Sequence, residues 1–277
     1  MTQSFTAPDR APTSMAELNY TTPGARRPQV INSDHSRNEL SLVRIEVPVA
    51  DGDRLPDDTA LEVEGFVCVP HKVRGPSLAE SREDQQAYRR DLAPFVRDLV
   101  GADEIVMLAY ATIRRQASAG AGSGAAHSPT ADFVHSDVSL NGLETMRTMF
   151  GQPSREGARR IAMYNMWKLL SPGPTNRPLA LCDARTLDER DVIAGDTRFP
   201  SLNDFHFEMA FFSHSNRHRW RYFPELERDR IIVFKQGDSD ASRTRMVPHT
   251  AFDDRSCAAD ASPRASIETR CMAVWYA

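Results

Sequence analysis

Residues 131–139, ADFVHSDVS, stand where the chain changes character. Downstream, after a helical pattern over LNGLETMRTMFG, come the runs ARRIAMYNMWKLL, PLALCDARTL, FHFEMAFFSHS, WRYFP, DRIIVFKQG, RTRMVPHTAF and RASIETRCMAVWY. These runs are short, apolar and separated by turn signals, which reads as a sandwich or barrel of antiparallel strands. Upstream, LVRIEVPV from Leu42 and then ALEVEGFVCVPHKV alternate apolar with polar residues, the period of a half-buried strand. Leu92, Phe95, Val96, Leu99 and Val100 recur at spacings of three and four behind Ser81, Glu83 and Asp84, so a capped amphipathic helix is expected, stopped by Gly101. EIVMLAYATI, just after it, has the length and apolarity of a buried strand. The expected class is mainly β with a few α-helices.

The 277 residues, 40% of them hydrophobic, suffice for one large β-rich domain. We expect that domain over residues 41–277, with residues 1–40, rich in Pro, Ser, Thr and Asn, as a flexible N-terminal segment without chemistry. The small-residue run AGAGSGAAHSP, residues 119–129, is expected to be a mobile loop. A formal net charge of -4 gives no basic field for phosphates, so nucleic acid is not an expected partner. Cys68, Cys182, Cys257 and Cys271 are scattered and read as reduced thiols. No run approaches the roughly 20 apolar residues of a membrane helix. A cytoplasmic enzyme with no membrane partner is the expectation.

His135 and Asp137 lie two apart in a strand-like segment, so both side chains leave one face and can share an ion. A third ligand must come from elsewhere. His249, after the strand RTRMVP, is the best candidate, with His206, His214 and His218 as competitors that read more naturally as packed or surface imidazoles. Two histidines and one carboxylate on one face of an octahedron leave positions open, the arrangement of iron(II) oxygenases. Arg264, Ser266, Glu268 and Arg270 alternate along RASIETR and so share a strand face. A guanidinium and hydroxyl there suit the distal carboxylate of 2-oxoglutarate, held by Arg264 with Ser266 or by Arg270. Iron(II), 2-oxoglutarate and dioxygen together would supply an oxidant for unactivated C–H bonds, and the protein would aim one carbon and exclude water.

The runs ADFVHSD, YNMWKLL with its GP and RPLALCDA continuation, YFPELERDRIIVFKQGDSD, VPHTAFDD and PRASIETRC, in this order, resemble the AsaB/CmcJ-like, gibberellin-desaturase-type hydroxylase/desaturase family of iron(II)/2-oxoglutarate oxygenases. Aziridine-forming oxygenases are among its relatives. The resemblance extends from Leu42 to the C-terminus. It implies a double-stranded β-helix (jelly-roll, cupin-like) core and places His135, Asp137 and His249 in the metal positions. Family members often carry arginine where this chain has Lys168. Tyr164, Asn165, Trp167 and Lys168 are expected to wall a substrate pocket, and a lysine there favours a small-molecule substrate bearing a carboxylate.

The reaction expected is hydroxylation, desaturation or oxidative ring closure on a small molecule of secondary metabolism. Two other readings fit the same residues. One is a cupin-like metal enzyme that uses no 2-oxoglutarate, and the other is a non-catalytic accessory protein of a biosynthetic cluster.

Overall fold

The computed structural model describes residues 14–32, 34–54, 61–72, 81–108, 111–116, 127–150, 157–258 and 260–276. The elements in chain order are β1 (Ser14–Thr21), β2 (Gln29–Ile31), β3 (Leu42–Asp51), β4 (Phe66–Pro70), α1 (Arg82–Val100), β5 (Glu104–Met107), β6 (Thr112–Arg115), β7 (His127–Ser128), β8 (His135–Ser136) and α2 (Leu140–Phe150). They continue as β9 (Ala158–Leu169), β10 (Leu179–Cys182), β11 (Val192–Phe199), β12 (Phe205–Phe212), β13 (Trp220–Tyr222), β14 (Arg230–Asp238), β15 (His249–Ala251) and β16 (Ala265–Tyr276).

The strands form two sheets, one ordered β1-β3-β13-β10-β15-β8-β12-β11-β2 and the other β4-β14-β9-β16-β6-β7, with β5 also on β16. Leu179 and Leu181 of the first sheet pack with Trp167, Leu169, Ile232 and Phe234 of the second, so the sheets face one another across a shared apolar layer. This is the expected jelly roll, mainly β with two α-helices.

The second sheet is covered on its other face by α1. Alternation decides which residues go where: Tyr164 and Met166 of β9 and Ile267, Cys271 and Ala273 of β16 bury against Leu92 and Val96 of the helix. The helix begins where expected. Ser81 Oγ accepts from Asp84 N at 3.1 Å, and Gly101 ends it in the left-handed conformation at φ 63°. The residues of opposite parity, including Asn165, Trp167, Arg264, Glu268 and Arg270, therefore face the first sheet. The interior of the jelly roll is polar at one end for that reason.

Four strands depart from expectation: β1 and β2 in the expected tail, β7 in the expected loop, and β11. Residues 14–21, read as part of a flexible tail, form β1 and pair with β3 along its length. Ala16, Leu18 and Tyr20 alternate onto the buried face, and Tyr20 Oη accepts from Trp220 Nε1 at 2.7 Å, which ties this strand to the core. β11 was not expected as a strand at all, because Gly195 and Asp196 interrupt its β-formers. It pairs with β12 over eight positions, and a Cβ at Gly195 would lie 2.4 Å from the Phe211 ring, so glycine lets the ring cross the strand. EIVMLAYATI forms two short strands, β5 and β6. Most of the small-residue run from Ala119 lies outside the described residues. No described helix is long and apolar enough to cross a membrane.

Candidate metal and co-substrate site

β8 and β15 are neighbours, and His135 is directly opposite His249 in their antiparallel register. Facing residues of such a pair project from the same side, so the two imidazoles converge, with ring centroids 4.3 Å apart. Asp137, two residues past His135, completes the cluster. Its Oδ1 lies 3.5 Å from His135 Nε2 and 3.9 Å from His249 Nε2. The three ligand atoms lie within 4.8 Å of one another and all three residues are buried.

Each donor is oriented from behind. His135 Nδ1 contacts the Phe133 carbonyl at 2.8 Å and His249 Nδ1 the Val247 carbonyl at 3.2 Å. Both contacts suit a protonated Nδ1, which leaves the Nε2 lone pair directed into the cluster. Burial, then the neighbouring His135, push the His249 imidazole down to about 3, so it is neutral as a ligand requires. Burial opposes charge on Asp137, yet Arg270 and the two histidines outweigh it and hold the carboxyl well below the usual range. Asp137 Oδ2 accepts from Asn165 Nδ2 and from Arg270 Nε, each at 2.7 Å, so Oδ1 stays available. The backbone N of Asp137 donates to Gln236 Oε1 at 2.7 Å, and Ser136 Oγ donates to the same oxygen at 2.9 Å. Gln236 reaches them because it is the extra residue of a β-bulge in β14 against β9. Two imidazoles and one ionised carboxylate, their converging atoms in contact with no other polar group among the described residues, fit a divalent transition metal.

Arg264 lies beside this cluster and is 1% exposed. Its Nη1 donates to the Arg177 carbonyl at 3.0 Å, its Nε to Ser266 Oγ at 3.3 Å, and its guanidinium sits 4.9 Å over the Trp167 ring. Among the described residues no carboxylate pairs with it. Burial, then the charge of Arg114, pull its pKa down to about 9. A buried cation left in this state is costly unless an anion arrives. Trp167 Nε1 is a buried donor with no hydrogen-bond partner among the described residues, and it lines the same narrow cleft as His135, His249 and Arg264. These groups fit a ligand carboxylate. Arg270 is engaged instead with Asp137 and, by a very short contact, with Glu268.

The group expected to wall the substrate pocket divides by strand parity. Asn165 and Trp167 face the site, the first gripping Asp137 and the second lying under Arg264. Tyr164 and Lys168 face α1 instead. Lys168 Nζ donates to the carbonyls of His71 and Arg230, and burial lowers its pKa to about 8. Replacing Lys168 with Met is therefore expected to leave the KM values for substrate and 2-oxoglutarate within about twofold and to lower only thermal stability. A large rise in either KM would place the lysine back in the pocket.

The competing histidines are otherwise occupied. His218 Nε2 lies 3.3 Å from Asp191 and its Nδ1 3.2 Å from Tyr20 Oη, His214 stacks edge-on to Tyr20, and His206 is exposed. A cavity of about 310 Å³ opens from His135, Asp137 and Arg270 and is walled by residues of both sheets and α2. Val30, Asn32, His35 and Asn38 also line it, so the N-terminal segment expected to carry no chemistry forms one wall. The alternation of Ala16, Leu18 and Tyr20 was the available signal. Nothing in the sequence pointed to Gln236 as the support of Asp137, since a bulge cannot be read from one strand alone.

A family model described as "Oxidoreductase/YMDC permease-like domain" matches residues 18–274. The hydroxylase/desaturase CTB9 of Cercospora beticola is 28% identical over 240 residues, covering 78% of this chain and 72% of that protein. The hydroxylase/desaturase efuI of Hormonema carpetanum is 26% identical, covering 78% and 79%. The Fe(II)/2-oxoglutarate-dependent dioxygenase nvfI of Aspergillus novofumigatus is 25% identical and covers 78% of each chain. A solved structure of the iron and alpha-ketoglutarate-dependent endoperoxidase NvfI superposes with a TM-score of 0.80 at 19% identity, covering 98% of this chain and 100% of that one, which shows the common fold. The chain thus belongs to the oxidoreductase family that this model describes, the one that holds the iron(II)- and 2-oxoglutarate-dependent hydroxylase/desaturases.

Proposed function

We propose that the chain is an iron(II)- and 2-oxoglutarate-dependent dioxygenase of the hydroxylase/desaturase type, acting on a small molecule of secondary metabolism. The observation that carries this is the adjacency of a pre-oriented His-Asp-His donor set to a buried arginine that has no acidic partner among the described residues. His135, Asp137 and His249 hold the metal. Arg264 receives the distal carboxylate of 2-oxoglutarate, with Ser266 fixing the guanidinium and Trp167 offering its indole N–H. Iron(II), 2-oxoglutarate and dioxygen supply an oxidant able to take hydrogen from an unactivated C–H bond. The chain's own contribution is positional. Asn165 and Arg270 keep Asp137 turned toward its neighbours, Phe234 packs edge-on to His249 at 4.8 Å, and the apolar walls keep water from the reacting carbon. Hydroxylation, desaturation and ring closure differ in where the substrate carbons lie in the cavity.

The test is anaerobic titration with iron(II) and then 2-oxoglutarate, watched for the weak visible charge-transfer band of a metal-chelated 2-oxo acid. The band is expected in wild type and absent in His249→Ala. Iron binding without a band in wild type would instead favour a cupin-like enzyme that uses no 2-oxo acid. Failure to bind iron at all would remove the metal assignment and leave an accessory protein as the reading.

A further inference from the structure

Arg114 lines both the cavity and the narrow cleft around Arg264, and so does His135. In the register of β6 on β16 it lies opposite Ser266, while Thr112 lies opposite Glu268, which puts both β6 side chains on the interior face. Among the described residues its side chain makes one hydrogen bond, from Nη1 to the Pro129 carbonyl at 2.9 Å. Among the described residues no carboxylate pairs with it. The acids that share the cavity are already taken: Asp137 by Arg270 and Asp132 by Arg177, the latter at 2.5 Å.

The groups near Arg114 are donors as well. His35 lines the same cavity, half-buried, and burial followed by the charge of Arg114 lowers its pKa. Asn38 spends its oxygen on the Ile31 N–H at 2.8 Å, so its amide hydrogens remain to be given. Asp34, adjacent to His35 in sequence, is bonded to Ser36. The apolar part of the wall includes Val30, Phe133, Met146, Met163, Phe207 and Met209, and of its other polar residues Asn19 is bonded to the Asp132 carbonyl and Asn32 to Thr197 Oγ1. A cationic fork and neighbouring donors beside this apolar stretch of wall complement a ligand with a hydrocarbon body and one anionic end.

We propose that Arg114 is the specificity-determining residue of this cavity, reading a carboxylate or chemically similar anion on an otherwise apolar substrate, with His35 and Asn38 beside it. The assignment rests on the oxygenase reading above, since that reading makes the cavity the substrate site. It moves recognition of the substrate's charge from Lys168, on the helix side of the sheet, to the strand that borders the metal cluster.

The test uses full-length protein loaded anaerobically with iron(II) and 2-oxoglutarate, and two fluorescent probes that differ in one group. These are 8-anilinonaphthalene-1-sulfonate and the uncharged N-phenyl-1-naphthylamine. Wild type is expected to bind the sulfonate about tenfold tighter or more, Arg114→Gln to abolish that preference, and Arg114→Lys to keep part of it. Met209→Trp, which fills the cavity, is expected to weaken both probes. The 2-oxoglutarate band is expected to be unchanged in Arg114→Gln. Equal affinity of wild type for the two probes, a preference that survives Arg114→Gln, or probes indifferent to Met209→Trp would each overturn the proposal. Loss of the band in Arg114→Gln would overturn it too, by assigning the residue to the co-substrate. A wild type that gives no band at all would instead sink the oxygenase reading, and the probe comparison would still report on Arg114.

Discussion

Replacing Arg264 with Ala is expected to raise the KM for 2-oxoglutarate by roughly a hundredfold or more, with iron(II) affinity unchanged. Truncating one partner of a buried, hydrogen-bonded charge pair costs about 2–5 kcal/mol, and about 1.4 kcal/mol is a factor of ten. Among the described residues the side chain is in an ion pair with no carboxylate: its fork rests on the Arg177 carbonyl and Ser266 Oγ, and its face on Trp167. Arg264→Lys is expected to recover only part of the loss, because an ammonium is a point charge and cannot reproduce a planar bidentate contact. The measurement is 2-oxoglutarate turnover at saturating iron, together with the anaerobic band. A KM that does not move in Arg264→Ala would show that the carboxylate is held elsewhere. Stability gives an independent check. Removing an unpaired buried cation is expected to leave the melting temperature of the metal-free variant equal to or above that of wild type, unlike the loss of an arginine already paired.

The features that were legible in the sequence are those that depend on periodicity alone. Alternation placed Arg264, Ser266, Glu268 and Arg270 on one face, and the three-and-four spacing with Ser81 and Gly101 defined α1 closely. The same alternation divides Tyr164 and Lys168 from Asn165 and Trp167, so treating all four as one pocket wall set aside a rule the residues themselves obey. What could not be read are relations between strands. His249 was named as the third ligand from its place after a strand and from the family resemblance, but the register that sets it opposite His135, between two short strands more than a hundred residues apart, was not in the pattern. That Arg270 is claimed by Asp137 and Glu268 depends on β8 lying across from β16, and no pattern within RASIETR announces it. β1 was concealed by its polar surroundings, since an edge strand exposes half its side chains and its composition then resembles a tail.

The contrast between the two arginines gives the second large effect. Arg270→Met is expected to destabilise the metal-free protein by about 3–5 kcal/mol and to weaken iron(II) binding about 10–100-fold. Two buried carboxylates depend on this cation. Asp137 would lose the donor that fixes Oδ2 and keep only Asn165, and Glu268 would keep the same Asn165 amide at 3.1 Å. Burial already pushes the Glu268 carboxyl above its usual range, with Arg270 as the leading opposing influence. Without that influence it rises further. A carboxyl whose folded pKa lies above its unfolded value is destabilising once the pH exceeds the unfolded value, and protonation relieves the strain as the pH falls. The stability gap between Arg270→Met and wild type is therefore expected to be widest near neutral pH and to narrow on acidification, as read from urea unfolding of the metal-free proteins at a series of pH values. Glu268→Gln in the same background should recover part of the loss at neutral pH by removing one of the stranded charges. If Arg270→Met kept its stability and its iron affinity yet lost the 2-oxoglutarate band, the two arginines would have to exchange roles, with Arg270 receiving the co-substrate and Arg264 serving the scaffold.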